Sequence, residues 1–497
     1  MKPKISIALC ASYALISCVP GSKKEPKPNV IFILLDDYGY TDLGCYGSKF
    51  YETPNIDRLA SEGIRFTDAY AACPVSSPTR AALMTGKYPV NTGVTDWIPG
   101  RQAYGANGLP EDRFIAQPFN LKLDLNETTI AEAMKSNGYA TMISGKWHLG
   151  EDSIYWPEQQ GFDVNKGGYS RGAPNKNNKS NGYFSPYGNP RLEDGPVGEY
   201  LTDRQTDDVM KFITDQENAP FFVYLSYYAV HNPMQGKEEL IEYFQAKADS
   251  MGLSEIQPFT KEKEWIKLAP GGDFKERTIQ SYAVYAAMIY SVDENLGRLF
   301  EKLRELKIDN NTVIIFTSDN GGLSTAEGSP TTNYPLRAGK GWLYEGGIRE
   351  PLIIKAPGFI NGSAISDVPV STIDFFPTIL ELTGTSLSNI KTDGISILPL
   401  LKSGEIMIRP LFWHYPHYSN QGGDPGSAVR LGNFKLIDNF ETGRQELYDL
   451  KTDISESIDI SETNPEKAKE LYDLLTEWRD KSGAKMMDPN PLWNGLE

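Results

Sequence analysis

Asn29-Val30-Ile31-Phe32-Ile33-Leu34-Leu35-Asp36-Asp37 is an apolar, β-branched run closed by two carboxylates. A run of this kind, with no polar alternation, reads as a strand buried on both faces. A second one, Thr312-Val313-Ile314-Ile315-Phe316-Thr317, ends in Ser318-Asp319-Asn320-Gly321-Gly322. Strands like these belong to a mostly parallel sheet covered by helices on both sides, an α/β architecture. Ligands of such sheets bind beyond the carboxyl ends of the strands. Asp36-Asp37 and Asp319-Asn320 are therefore expected at one edge. Three carboxylates and an amide oxygen make a hard set suited to Ca²⁺ and, less well, to Mg²⁺. Either pair alone reads as a turn or a helix cap; together, at two like strand ends, they predict a metal site.

Working outward, Ile64–Tyr70, Tyr139–Ser144, Phe221–Ser226 and Pro351–Ala356 read as further strands. Helices are expected from Pro54 to Ala60, Thr128 to Met134, Ile279 to Leu306 and Ile373 to Leu382. Past Pro399 the pattern changes to short strands at Leu411–Tyr415, Ser427–Leu431, Phe434–Asn439 and Glu446–Leu450, then a helix from Pro465 to Arg479. This predicts a small antiparallel α+β subdomain over 404–497, following a catalytic domain over 29–403. The Gly-, Asn- and Tyr-rich stretch from Gly167 to Gly195 is too long for a simple connection and reads as a functional or a mobile loop.

The chain has 497 residues and a formal net charge of −16, which argues against nucleic-acid binding. Met1-Lys2-Pro3-Lys4 followed by the short apolar run Ile5–Ile16 has the form of an export signal, too short to span a bilayer. Leu15-Ile16-Ser17-Cys18 resembles a bacterial lipobox. Residues 1–18 then form a lipoprotein-type signal with Cys18 lipidated, 19–28 a linker, and the protein is periplasmic or on the outer membrane, anchored by lipid only. Ordinary cleavage nearby is the alternative. Cys45 and Cys73 are expected free and buried.

Ser76-Ser77-Pro78-Thr79-Arg80 follows the strand at Ile64–Tyr70 and turns helical at Pro78. Ser76 then sits just ahead of a helix N-terminus, where N–H groups and the dipole favour an anion. Arg80, about one turn on, can face the same spot. The set reads as an oxyanion site, or as a capping serine beside a surface arginine. His148, in Gly145-Lys146-Trp147-His148, and His231, in Tyr228-Ala229-Val230-His231, both lie just past strand ends, where loops carry function. Lys146 and Lys340 on their own are ordinary surface charges.

Ser76, a gap, Pro78, a gap, Arg80, four residues and Thr85-Gly86 resemble the signature of formylglycine-dependent (type I) sulfatases of the alkaline phosphatase superfamily. Asp36-Asp37, Gly145-Lys146-Trp147-His148, His231, Asp319-Asn320-Gly321-Gly322, Gly339-Lys340-Gly341 and Glu345-Gly346-Gly347 follow in the family's order. The resemblance implies an alkaline phosphatase-like fold and a serine-type site, with Ser76 oxidised to formylglycine (3-oxoalanine) by a bacterial maturation enzyme. Cys73 is out of register, since Val75 and not proline stands two residues after it. The resemblance also implies a metal, Ca²⁺, on Asp36, Asp37, Asp319, Asn320 and the modified Ser76. Lys146, Lys340 and Arg80 would neutralise sulfate, His231 would protonate the leaving alcohol, His148 would deprotonate the second hydroxyl of the hydrated aldehyde, and Lys87 would orient the formylglycine.

The substrate expected is a sulfated carbohydrate, with a galactose or N-acetylgalactosamine sulfate as first choice. Trp97, Arg101, the loop Gly167–Gly195, His414 and His417 are candidate sugar contacts. The alternatives are a phosphomonoester or phosphonate hydrolase of the same superfamily, and a non-catalytic glycan-binding lipoprotein if Ser76 stays unmodified.

Overall fold

Nine strands form one sheet in the computed structural model, which describes residues 26–216, 219–261, 274–360, 362–386, 390–402, 404–493 and 495. The signal segment and Cys18 lie outside the described residues. In chain order the strands are β1 (Asn29–Leu35), β2 (Ile64–Tyr70), β3 (Ala140–Gly145), β4 (Val164–Lys166), β5 (Phe221–Ser226), β6 (Thr312–Ser318), β7 (Arg349–Lys355), β8 (Ala364–Ser366) and β9 (Val370–Ser371). They lie in the order β8-β2-β7-β6-β1-β5-β3-β4, with β9 beside β2.

The central strand β1 is buried throughout and pairs in parallel with β6 on one side and β5 on the other. Its alternate residues serve two cores, Ile31, Ile33 and Leu35 on one face and Val30, Phe32 and Leu34 on the other. That two-sided burial is why the run carries no polar alternation. Only β7 runs against the rest, antiparallel to both β6 and β2.

Among the described residues the helices of seven residues or more are α1 (Pro54–Ser61), α2 (Ser76–Thr85), α3 (Ile130–Ser136), α4 (Leu201–Asp215), α5 (Glu238–Ser250), α6 (Ala283–Glu305), α7 (Phe375–Leu382) and α8 (Pro465–Ser482). α1, α4, α5 and α6 cover one face of the sheet, and α2, α3 and α7 the other. Two expectations shift. α2 begins at Ser76 itself, behind an extended Val75, so Ser76 is the first helical residue and not the one before it. α6 begins at Ala283, because Glu276–Arg277 pairs with Phe259–Thr260 as a short ribbon. α4 and α5 were not legible, since frequent Asp, Thr and Glu mask their apolar stripes.

The C-terminal strands β10 (Leu411–Tyr415), β11 (Gly426–Leu431), β12 (Phe434–Asn439) and β13 (Gln445–Asp449) make an antiparallel sheet in that order. One face packs Val429, Leu436 and Leu447 on Leu471 and Leu475 of α8. The other packs Leu411, Trp413 and Ile437 on Tyr70, Val75 and Ile348 of the larger domain. Cys45 and Cys73 are free, as expected, but Cys45 is only half-buried. Among the described residues no helix is long and apolar enough to cross a membrane.

Candidate active site

Parallel strands deliver their carboxyl ends to one edge, and the chemistry collects there. The pairing of Leu35 with Ser318 puts Asp36 and Asp319 side by side. Lys146 follows β3, His231 follows β5, and Ser76 opens α2 just beyond β2. Because β7 is reversed, the segment carrying Lys340 enters at this edge too. Gly145 permits the close approach of β3 to β5: a Cβ there would lie 1.9 Å from the Ser226 carbonyl oxygen.

Ser76 Oγ lies 3.3 Å from Asp36 Oδ1, 3.3 Å from Asn320 Oδ1 and 3.1 Å from Lys146 Nζ. Lys146 Nζ also donates to Asp36 Oδ2 at 2.8 Å, and Lys340 Nζ to Asp37 Oδ2 at 2.9 Å. Asn320 Nδ2 donates to Asp37 Oδ1 at 2.8 Å, and His231 Nε2 stands 3.6 Å from Asp37 Oδ2. Asp37 has φ 63°, a left-handed conformation costing on the order of 1–3 kcal/mol in a non-glycine residue. Its N–H donates to Asp319 Oδ1 at 3.2 Å, which helps to hold it there.

Burial pushes the Asp36 carboxyl up and the Lys146 ammonium down, so this pair is set against its charged forms. Burial opposes charge on Lys340 as well, but Asp37, with Glu327 and Asp36, outweighs it and raises the ammonium. For Asp319 burial is outweighed by Arg80, Lys146 and Lys340, which hold the carboxyl far below its usual range. Burial, with Lys146 beside it, keeps His148 neutral well below its ordinary value. His148 Nε2 is 2.5 Å from the Ile98 carbonyl oxygen, so Nε2 carries the proton and Nδ1 presents a buried lone pair without a protein donor.

Asp36, Asp37, Ser76, Asp319, Asn320, Lys146, His148, His231 and Lys340 are thus brought together. Arg80 joins them from behind: it is fully buried, donates from Nε to Asp319 at 2.8 Å and from its terminal nitrogen to Ser226 Oγ at 2.6 Å, and lies 3.9 Å from Asp36, so it positions a carboxylate and does not reach a bound sulfate. Lys87 lies past the far end of α2, which rises about 1.5 Å per residue, and pairs with Glu127 at 2.5 Å. It cannot orient residue 76.

A cleft of about 530 Å³ opens above Ser76. Trp97 lines it; Arg101, His414 and His417 do not. Arg101 turns to Asp112 at 3.8 Å and to the Tyr418 ring. His414 is held between Ser427 Oγ and the Lys485 carbonyl, and His417 is buried against Thr95 Oγ1. Residues 170–176, part of the Gly167–Gly195 loop expected at the sugar site, line the cleft as well, and so do Tyr104, Glu327 and Gln421, which the sequence did not mark. Ser77 was also missed: its Oγ donates to the His148 carbonyl at 3.0 Å and accepts from Ile98 N–H at 3.1 Å, fixing the loop that carries the imidazole.

Comparison with known proteins matches residues 28–385 to the family described as Sulfatase, and residues 338–481 to N-sulphoglucosamine sulphohydrolase, C-terminal. A protein of Formosa agariphila named Sulfatase is 30% identical over 98% of this chain and 94% of its own. Human N-acetylgalactosamine-6-sulfatase is 31% identical over 84% of this chain and 72% of its own. The crystal structure of Ps i-CgsB in complex with k-i-k-neocarrahexaose superposes with a TM-score of 0.71 at 29% identity, covering 91% of this chain and 92% of that one.

Proposed function

The chain belongs to the sulfatase family and is a sulfuric ester hydrolase, and from that premise we propose that it desulfates carbohydrates through a formylglycine made from Ser76. The observation that carries the reading is the setting of Ser76 Oγ, between Asp36, Asn320 and Lys146 on the floor of an open cleft. The names of the human relative and of the neocarrahexaose-bound neighbour support a sulfated glycan as substrate.

The residues fit a hard divalent cation. Asp36 and Asp37 bring carboxylate oxygens within 4.8 Å of one another. Asp319 and Asn320 add oxygens beside them, and a set made mostly of protein oxygens suits Ca²⁺, which takes about 6–8 such ligands in flexible geometry, better than Mg²⁺, which keeps several waters. When bound, the cation would supply positive charge to the sulfate oxygens and acidify a hydroxyl at residue 76. The hydrated aldehyde would supply a second hydroxyl, without which serine could form only a stable sulfate ester.

The side chains then divide the work. Lys146 and Lys340 neutralise sulfate oxygens as charge shifts towards them. His231 delivers a proton to the leaving alcohol from Nε2, its Nδ1 being tied to the Asn232 carbonyl at 2.9 Å. His148 accepts a proton at Nδ1, the nitrogen that the Ile98 contact leaves open. Arg80 keeps Asp319 ionised and in place. Export and lipid attachment at Cys18 belong to the same proposal, and fatty-acid labelling lost in C18A checks them.

Mass spectrometry of the tryptic peptide containing Ser76 tests the nucleophile, with loss of two hydrogens marking the aldehyde. Sulfate release from a panel of sulfated mono- and oligosaccharides tests the substrate. Turnover of aryl sulfates alone would sink the carbohydrate reading, and faster turnover of aryl phosphates would move the enzyme to another ester.

A further inference from the structure

One wall of the cleft is the segment 170–176. It is pressed against the reaction centre: a Cβ on Gly172 would lie 2.5 Å from His148 Cε1 and 2.7 Å from Nδ1. Arg171 precedes that contact and Lys176 follows it, both exposed and both lining the cleft. Among the described residues neither forms an ion pair. The two cations are separate from Lys146 and Lys340, which stand beside Asp36 and Asp37 at the floor, where the scissile sulfate would sit.

The acids of the cleft do not cancel them. Glu327 is engaged by the side chains of Gln421 and Asn232 and lies on the Lys340 side. Glu151 lines the cleft with no ion pair to either cation. Trp97 and Tyr104 stack in the same cleft, with ring centroids 6.0 Å apart and Tyr104 70% exposed. They offer a flat apolar face to a sugar ring. The cleft volume falls among those of ordinary ligand sites, about 300–1,000 Å³, and exceeds the needs of one sulfate.

We propose that this cleft binds an oligosaccharide carrying a second anionic group, on the sugar beside the one that is desulfated, and that Arg171 and Lys176 bind that group. This rests on the carbohydrate reading above. The group is a carboxylate or a further sulfate; both suit a guanidinium fork and an ammonium. Solvent-exposed pairs are individually weak and screened by salt, so the two cations together are expected to confer about a tenfold preference.

Calorimetric titration of the protein with Ser76 unmodified reads binding without turnover. The probes are N-acetylgalactosamine 6-sulfate, a disaccharide adding a uronate to it, and a disaccharide adding a second sulfate. The wild type should bind one or both dianionic probes about tenfold more tightly than the monoanionic one, and the arm that wins identifies the anion. R171E/K176E should erase the preference and R171K/K176R keep it. Equal affinities in the wild type, or a preference surviving R171E/K176E, overturn the anion site while leaving the carbohydrate reading intact. If the wild type binds no sulfated sugar and the matured enzyme releases sulfate from none, the carbohydrate reading falls and the anion site with it.

Discussion

Two buried clusters in this protein carry the same charges and do opposite things. At the sheet edge Asp36, Asp37 and Asp319 face Arg80, Lys146 and Lys340. Behind it Asp68, Glu345 and Glu456 face Arg349, Arg430 and Lys435. The second cluster is closed. Lys435 bridges Glu345 at 3.0 Å and Glu456 at 2.8 Å, Arg349 bridges Asp68 at 2.9 Å and Glu345 at 3.1 Å, and Arg430 reaches Asp68 at 2.6 Å. It joins β2 and β7 to β11 and β12, and so docks the C-terminal sheet on the catalytic domain. The first cluster opens on a cleft, holds Asp37 in a strained conformation and leaves His148 Nδ1 without a protein donor. Charge saturated by protein partners holds structure; charge left partly unsatisfied at a cleft is available to a ligand.

The comparison breaks most sharply at residue 76. S76A should lower kcat by at least about a thousandfold, as expected for loss of a nucleophile, with a near-wild-type melting curve. K435M should do the reverse. It strips Glu456 of its Lys435 partner and leaves Glu345 to Arg349 alone, and loss of one partner of a buried pair costs about 3–5 kcal/mol. Urea unfolding would show it, while the sulfate pocket keeps its residues. Burial already pushes the Glu456 carboxyl up to about 7, and Glu345, where Lys435, Arg349 and Arg430 outweigh burial, is brought down to about 2.

A group in neither cluster adds to acid sensitivity. Burial lowers His414 from 6.5 to about 4, so between these values the unfolded chain binds a proton that the folded one refuses. Its contribution is complete above 6.5 and is lost as pH falls towards 4, at about 1.4 kcal/mol per unit. H414Q should flatten that part of the plot of unfolding free energy against pH.

The open cluster should also respond to Ca²⁺ where the closed one does not. Added to chelated protein at about a hundredfold excess over Kd, the ion should stabilise by about 2.7 kcal/mol, read as a rise in Tm that D37N abolishes. G172A is the smallest change. Its Cβ pushes the loop off His148, and displacement of a catalytic group should cost about tenfold in kcat/KM with little change in Tm.

Much of this was legible in the chain. β1, β2, β5, β10 and β12 lie where apolar patterning puts them, because buried strands need unbroken or alternating apolar runs. The pairs after β1 and β6 were readable because both strands end at one edge. Arg80 was misread as an anion contact, since sequence spacing places it on a helix turn but does not show Asp319 covering it. Lys87 was assigned by resemblance, which does not show that α2 carries it away from residue 76 to Glu127. His414 and His417 look like ligands by rarity alone; burial makes them packing groups. Glu345-Gly346-Gly347 was legible as a motif, but its docking role needed Lys435, ninety residues on.

From the sequence by itself follow the α/β class, the edge where the site lies, the proposed nucleophile position and the sulfatase resemblance. All of these depend on local patterning and on residue types at short spacing. The tertiary structure decided which charges face the cleft and which are sealed behind it, the open Nδ1 of His148, and the loop that brings Arg171 and Lys176 to the mouth. Those depend on contacts between distant segments, on which the burial and pairing of every charged group turn.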